Sequence, residues 1–249
     1  VTGVAASSEK SRPSAFWPLA AIIVPITGLF ARIEIRGAEN LPREGAYVIA
    51  PNHNSEFDPV IVAVAVWRLG RAPRFLAKES LFKVPVLGAA LKATGMVPVP
   101  RASTSANQSM KAAEQIARDG RGVIVYAEGT LTRDPDLWPM RGKTGAVRLA
   151  LAADLPLIPM AQWGVQQILP RYGKLRFPRR SHVIVEFGPA MDMSEYRATP
   201  THPATLTRAT DAMMNRITAL LSGIRGLPAP AERWNPSQHG QNETGRLEP

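Results

Sequence analysis

The sequence contains no cysteine, and that absence removes disulfide bridges, thiolate metal sites and a cysteine nucleophile together. Any chemistry has to rest on other side chains. Aromatic residues make up only 6%, without the interleaving of aromatic and basic side chains on which single-strand binders stack bases, so nucleic acid is not an expected partner. Histidine is scarce as well. The chain has four in 249 residues, none with a second histidine nearby, and no metal site is expected. Acidic charge is in deficit, with 20 Asp and Glu against 30 Lys and Arg, a formal balance of +10. Such a surface attracts phosphates, whether on nucleic acid, anionic lipid or a small substrate, and does not choose among them. The first apolar run, "FWPLAAIIVPITGLFARI", falls short of the ~20 residues that a membrane crossing needs and is interrupted at Pro25. It reads as an interfacial or re-entrant helix over residues 15–32. The competing readings are a buried first helix and a signal peptide, the latter disfavoured because "GLFARIEIRG" has no small-x-small cleavage pattern.

What is present is the material of one globular domain with a sizeable core. Residues 1–14 are Ser- and Ala-rich and unpatterned, and residues 226–249 are rich in Pro, Asn and Gln, so both ends read as disordered around a folded domain over 33–225. Inside it, short β-branched runs alternate with longer helical patterns. "RIEIRG", "YVIAP", "RFLA", "MVPVP", "GVIVYA", "LPLIPMA" and "HVIVEFG" are the expected strands. Helices are expected over 59–69, 85–93, 106–118, 142–153 and 203–221, the third opening on a capping box at Ser105 and Gln108. This alternation predicts an α/β fold, a mostly parallel central sheet flanked by helices that serve as crossovers. Parallel strands end on one edge of their sheet, where such sheets hold ligands. That edge would receive Asn52-His53, Lys78, Arg101 and Glu128-Gly129-Thr130.

The stretch "NHNSEFDP" places His53 just past a strand and five residues before Asp58-Pro59. Asp followed by Pro is a good helix start, so Asp58 has a purely structural reading as an N-cap. His53 lies in a segment too polar for a core. A turn feeding a capped helix can fold His53 back onto the carboxylate, which would fix the imidazole tautomer and stabilise its protonated form. An imidazole held so is a general base near neutral pH. No Gly-x-Ser-x-Gly elbow is present to supply a protein nucleophile, which leaves a substrate hydroxyl as the proton donor. Further on, "YAEGTLTRDPDLWPMRGKTGAVRLALA" combines a glycine that permits close backbone approach with Thr130 and with Arg133, Arg141, Lys143 and Arg148. Arg141 and Arg148 read as solvated surface charge. Lys143 precedes a helix start, where backbone amides also favour anions.

Together these segments resemble the glycerolipid acyltransferases, most closely the 1-acyl-glycerol-3-phosphate acyltransferases. The family's Asn-His-x-x-x-x-Asp motif stands as Asn52 to Asp58, and its Glu-Gly-Thr motif as Glu128-Gly129-Thr130. "AKESLFKVPVLGAALKATGMVPVPR" is similar to the block between them, and "LPLIPMAQWG" to the final motif. The resemblance implies transfer of a fatty acyl group from acyl-CoA or acyl-ACP to the hydroxyl of lysophosphatidate, giving phosphatidic acid, with no bound cofactor. It implies His53 as base and Asp58 as its orienting partner. It further implies Lys78, Arg101, Glu128, Gly129, Thr130, Arg133 and Lys143 as residues placing the acceptor and its phosphate, and an apolar acyl tunnel lined from "FKVPVLGAALKATGM". A monotopic position among membrane lipids, on the cytoplasmic face of the cell membrane, follows from the same resemblance. The family usually has arginine directly after Glu-Gly-Thr, and here that position is Leu131, with Arg133 as the nearest replacement. The rival acceptor is glycerol 3-phosphate. A rival of another class, a non-catalytic basic protein binding membrane or nucleic acid, leaves the His-Asp pair unexplained.

Overall fold

The computed structural model describes residue 9, residues 14–99, residues 111, 114–115 and 117–176, and residues 180–242. Arg101, most of the helix expected over 106–118 and nearly all of 1–14 lie outside them. All seven expected strand segments form strands: β1 (Ala31–Arg36), β2 (Tyr47–Pro51), β3 (Leu76–Lys78), β4 (Val97–Val99), β5 (Gly122–Ile124), β6 (Leu157–Trp163) and β7 (Ser181–Phe187). Five of them make one sheet in the order β1-β7-β6-β2-β5, and β3 pairs with β4 in a parallel ribbon. A parallel bridge between Phe75 and Ile124 joins that ribbon to β5.

β2 sits between β6 and β5, parallel to both, and all five of its residues are buried. Its alternation divides the core into two layers, as strand geometry requires. Val48 and Ala50 face a layer closed by α4 (Gly145–Ala152) and α5 (Pro203–Arg225), whose Met213, Met214 and Ile217 are fully buried. Those two methionines therefore belong to the core rather than to a lipid-facing surface. Tyr47 and Ile49 face the other layer, closed by Ile61, Val62, Ala65 and Val66 of α2 (Asp58–Arg68). Gly122 stands opposite Tyr47 in the β5 register, and a Cβ there would lie 2.0 Å from the tyrosine ring, so only glycine admits this approach.

One pairing departs from the parallel pattern. β6 and β7 are antiparallel, and the described residues of the connection between them hold only a short helical turn at Val165–Gln167, without a crossover helix to carry the chain back over the sheet. β1 then pairs parallel with β7, so β2, β5 and β6 end at one edge while β1 and β7 end at the other.

The first helix, α1 (Phe16–Phe30), contains Pro25 and docks on α2 through Phe16 and Trp17 against Trp67, with ring centroids 6.1 and 5.7 Å apart. Its other side is open. Ile22, Ile23, Ile26 and Leu29 are exposed, Leu29 at 72%, and the docked Trp17 is itself partly open, which removes the reading of a buried first helix. No helix among the described residues is long and apolar enough to cross a membrane. The segment expected to line an acyl tunnel also faces outward: Leu81, Val84, Val86 and Leu87, around α3 (Leu87–Ala93), are exposed.

The stretch after the α5 cap at Gly226, expected from its composition to be flexible, is anchored in its described part. Arg233 donates to Asp211 at 2.9 Å, and Trp234 accepts at its carbonyl from the Arg141 amide at 3.0 Å. Trp234 also stacks on His239 with centroids 3.6 Å apart. Two specific anchors on α5 and on the 140s loop do what the sparse apolar residues of this stretch cannot.

Candidate active site

The turn between β2 and α2 is built around Asp58. Its Oδ2 accepts from the Asn54 amide at 2.7 Å and the Ser55 amide at 2.9 Å, and lies 3.0 Å from His53 Nδ1. The carboxylate thus reaches backward into the turn. It does not cap α2: Phe57 holds the N-cap position, with no side-chain cap, and Pro59 supplies the helix start. Asp58 is fully buried, and its other oxygen, Oδ1, has no hydrogen-bond partner among the described residues. Burial accordingly pushes its pKa above the usual carboxylate range, and the bond to His53 and the two amides hold it back.

His53 is the one partly open member of the pair, with its side chain 16% exposed. Its ring stacks on Tyr126 at 4.1 Å between centroids, and burial carries the Tyr126 hydroxyl pKa well above its ordinary value. Because Nδ1 faces the carboxylate, the ring proton belongs on Nδ1 and Nε2 is left as the proton acceptor. Asn52 fixes the start of the turn: its Oδ1 accepts from the Gln162 amide at 2.8 Å and its Nδ2 donates to the Gln162 carbonyl at 3.2 Å, extending the β2–β6 ladder by one side chain.

Glu128 ties two loops to this turn. Oε1 accepts from the His53 amide at 2.9 Å and Oε2 from the Met140 amide at 3.0 Å. The carboxyl is buried, and burial raises its pKa to about 8, opposed by those amides and by the Thr132 hydroxyl. Between its ordinary value of 4.5 and about 8, the folded chain keeps a proton on Glu128 that the unfolded chain releases. Stability from this group is therefore full at acid pH and falls as pH rises through that window. Glu128→Gln, which cannot titrate, is expected to melt lower overall yet to lose the extra fall in Tm between about pH 6 and about pH 9. Calorimetry at both pH values decides, and an equally steep fall in the variant would assign the pH dependence to another group.

Gly129 has φ +70°, and a Cβ there would meet Lys143 Cδ at 3.2 Å, so the exposed Lys143 lies across the Glu128-Gly129-Thr130 turn. The Thr132 amide donates to the His53 carbonyl at 2.7 Å, which brings this loop directly onto the histidine. Leu131 is buried. Arg133, the expected replacement cation, is only 2% exposed, which sets its guanidinium inside the domain instead of on the open face of the loop. Lys78 ends β3, which runs in the same direction as β5 toward this edge. The structure thus gathers His53, Asp58, Glu128, Gly129, Thr130 and Lys143 around one turn, with Arg133 behind it. Tyr126 and Gln162 were not singled out by sequence reasoning. Only Tyr126 carried a usable signal, as the aromatic two residues before Glu128.

A protein-family model described as Acyltransferase matches residues 32–163. The 1-acyl-sn-glycerol-3-phosphate acyltransferase of Bacillus subtilis is 28% identical over 195 residues, which cover 78% of this chain and 91% of that protein. The chloroplastic 1-acyl-sn-glycerol-3-phosphate acyltransferase of Brassica napus is 30% identical over 143 residues. That match covers 57% of this chain and spans only 40% of the length of the Brassica protein. In three dimensions, the crystal structure of the 1-acyl-sn-glycerophosphate acyltransferase of Thermotoga maritima superposes with a TM-score of 0.61 at 20% identity, covering 88% of this chain and 80% of the other. The two share a fold.

Proposed function

Because the chain belongs to the acyltransferase family whose model matches residues 32–163, we propose that it transfers a fatty acyl group from a thioester to the free hydroxyl of lysophosphatidate. The observation that carries the reading is the 3.0 Å contact between His53 Nδ1 and the buried Asp58, on a ring that is still open to solvent. His53 Nε2 takes the proton of the acceptor hydroxyl as its oxygen attacks the thioester carbonyl. Asp58 steadies the imidazolium that forms. Collapse of the tetrahedral intermediate breaks the carbon–sulfur bond, and the departing thiolate takes the proton back from His53. The products are phosphatidic acid and a free thiol. No step calls for a metal or a bound cofactor. Acyl-CoA and acyl-ACP both supply such a thioester, and the reading holds for either.

The acceptor is a membrane lipid, and the exposed face of α1 fits that source. Trp17, Ile22, Ile26 and Leu29 present apolar surface without the length to span, the pattern of a helix lying in the interface. The positive formal charge favours anionic headgroups. The position proposed is monotopic, on the cytoplasmic face of the cell membrane.

Glycerol 3-phosphate is the competing acceptor. Purified protein is offered lysophosphatidate and glycerol 3-phosphate separately with one acyl thioester, and kcat/KM is measured for each. The proposal expects lysophosphatidate to be preferred by at least about tenfold, the equivalent of ~1.4 kcal/mol. A preference for glycerol 3-phosphate would select the other acceptor, and activity with neither would overturn the reading.

A further inference from the structure

The loop after Glu128-Gly129-Thr130 turns no guanidinium outward over its first residues, since Leu131 and Arg133 are both buried. A cation reaches it from another segment. Arg171, in the connection between β6 and β7, donates from Nη1 to the carbonyls of Thr132 and Asp134, the second at 2.8 Å. The same Thr132 donates its amide to the His53 carbonyl, so one residue separates Arg171 from the histidine through the backbone. Two residues before Arg171, the Leu169 carbonyl accepts from the Ser55 hydroxyl at 2.6 Å, while the Ser55 amide binds Asp58. The segment is therefore pinned at two points to the turn that carries His53 and Asp58.

The way Arg171 spends its donors decides what it can do. Both Nη1 hydrogens go to backbone carbonyls, which leaves Nε and Nη2. These form the side-on fork of the guanidinium, the edge that matches two oxygens of a phosphate or carboxylate. No carboxylate among the described residues lies within ion-pair distance of Arg171, and the side chain of Asp134, whose backbone carbonyl it binds, already accepts from the amides of Asp136 and Trp138. Half-buried and braced at Nη1, the side chain is held in place with its anion-binding edge unused. Lys174 and Arg176 follow on the same exposed segment and add positive potential.

We propose that Arg171 is the residue that grips the acceptor's phosphate, with Lys143, beside the Glu128-Gly129-Thr130 turn, as the second cation. This rests on the acyl-transfer reading, and the test separates the two. Wild type, Arg171→Met and Arg171→Lys are assayed with lysophosphatidate and with monoacylglycerol, which lacks the phosphate, and each protein is titrated calorimetrically with glycerol 3-phosphate against a glycerol control. Loss of a charge-assisted fork predicts that Arg171→Met raises the KM for lysophosphatidate roughly ten- to a hundredfold. The ratio of kcat/KM for lysophosphatidate over monoacylglycerol falls by the same factor, and the heat of glycerol 3-phosphate binding is lost. Arg171→Lys recovers part of both, because charge returns without the fork. A residue that only braces the loop would lower both acceptors together and leave their ratio unchanged, which overturns the proposal. Unaltered binding of glycerol 3-phosphate by Arg171→Met overturns it too. Should wild type form no phosphatidic acid, the acyl-transfer reading fails while the titration still decides Arg171.

Discussion

Alanine in place of His53 is expected to lower the rate of acyl transfer by roughly 10²- to 10⁴-fold, the span general-base catalysis covers, while the protein stays folded. The separation of these two effects follows from where the ring sits. His53 is held by its backbone, through the Glu128 carboxyl at its amide and the Thr132 amide at its carbonyl, and neither bond involves the imidazole. Alanine keeps both. What it loses is the stack on Tyr126 and one bond to Asp58, together worth about 1–2 kcal/mol, a few degrees of Tm in a chain of this size. Initial rates and a thermal melt on the same preparation check the two parts. A variant retaining most of its activity would remove His53 from the chemistry, and a variant that unfolds would make the histidine a structural residue.

Asp58 offers the second large effect, and two substitutions divide its roles. Three donors converge on Oδ2: His53 Nδ1 and the amides of Asn54 and Ser55. Asparagine keeps one oxygen for them and removes the charge. Asp58→Asn is therefore expected to fold yet to lose activity by about 10²- to 10⁴-fold, because nothing then steadies the imidazolium. Alanine leaves all three donors facing a void, and an orphaned buried donor costs about 1–3 kcal/mol. Asp58→Ala is expected to lose both activity and several degrees of Tm. The pH dependence adds a sign. Burial raises the Asp58 pKa, so ionising it takes stability away as pH rises through that raised value. Asp58→Asn has no such loss, and its Tm relative to wild type should climb from acid to neutral pH. Parallel Tm curves for the two proteins would show that the carboxyl carries no such penalty.

Much of this molecule was legible before its coordinates. Short apolar runs, β-branched in all but the "RFLA" segment of β3, marked the seven strands, because a buried strand has to be written in residues that fill a pleated surface. The α/β class followed from their spacing. The direction of β7 did not, since a connection of loops leaves no periodic signal to show whether a strand returns parallel or antiparallel. The His53–Asp58 stretch stood out by polarity, yet Asp58 was equally readable as a helix cap. Only the backward reach of its side chain to Asn54 and Ser55 decides between those roles. Arg133 drew notice because it lies near Leu131 in sequence, whereas Arg171 is 39 residues from Thr132 and meets it only in the fold. The role proposed for Arg171 therefore draws on a tertiary contact that spacing in the sequence does not show. The stretch after Gly226 has the composition of a tail, yet in its described part Arg233 and Trp234 bond to Asp211 and Arg141, contacts that composition does not show.

The most direct test of the central claim counts both products of one reaction. Wild type and His53→Ala are incubated with an acyl thioester and lysophosphatidate, phosphatidic acid is quantified by mass spectrometry, and released thiol is titrated in the same samples. The account predicts one thiol for each phosphatidic acid with wild type and neither product above background with the variant. Thiol released without phosphatidic acid would make the protein a thioesterase, and equal phosphatidic acid from both proteins would contradict His53 as the base.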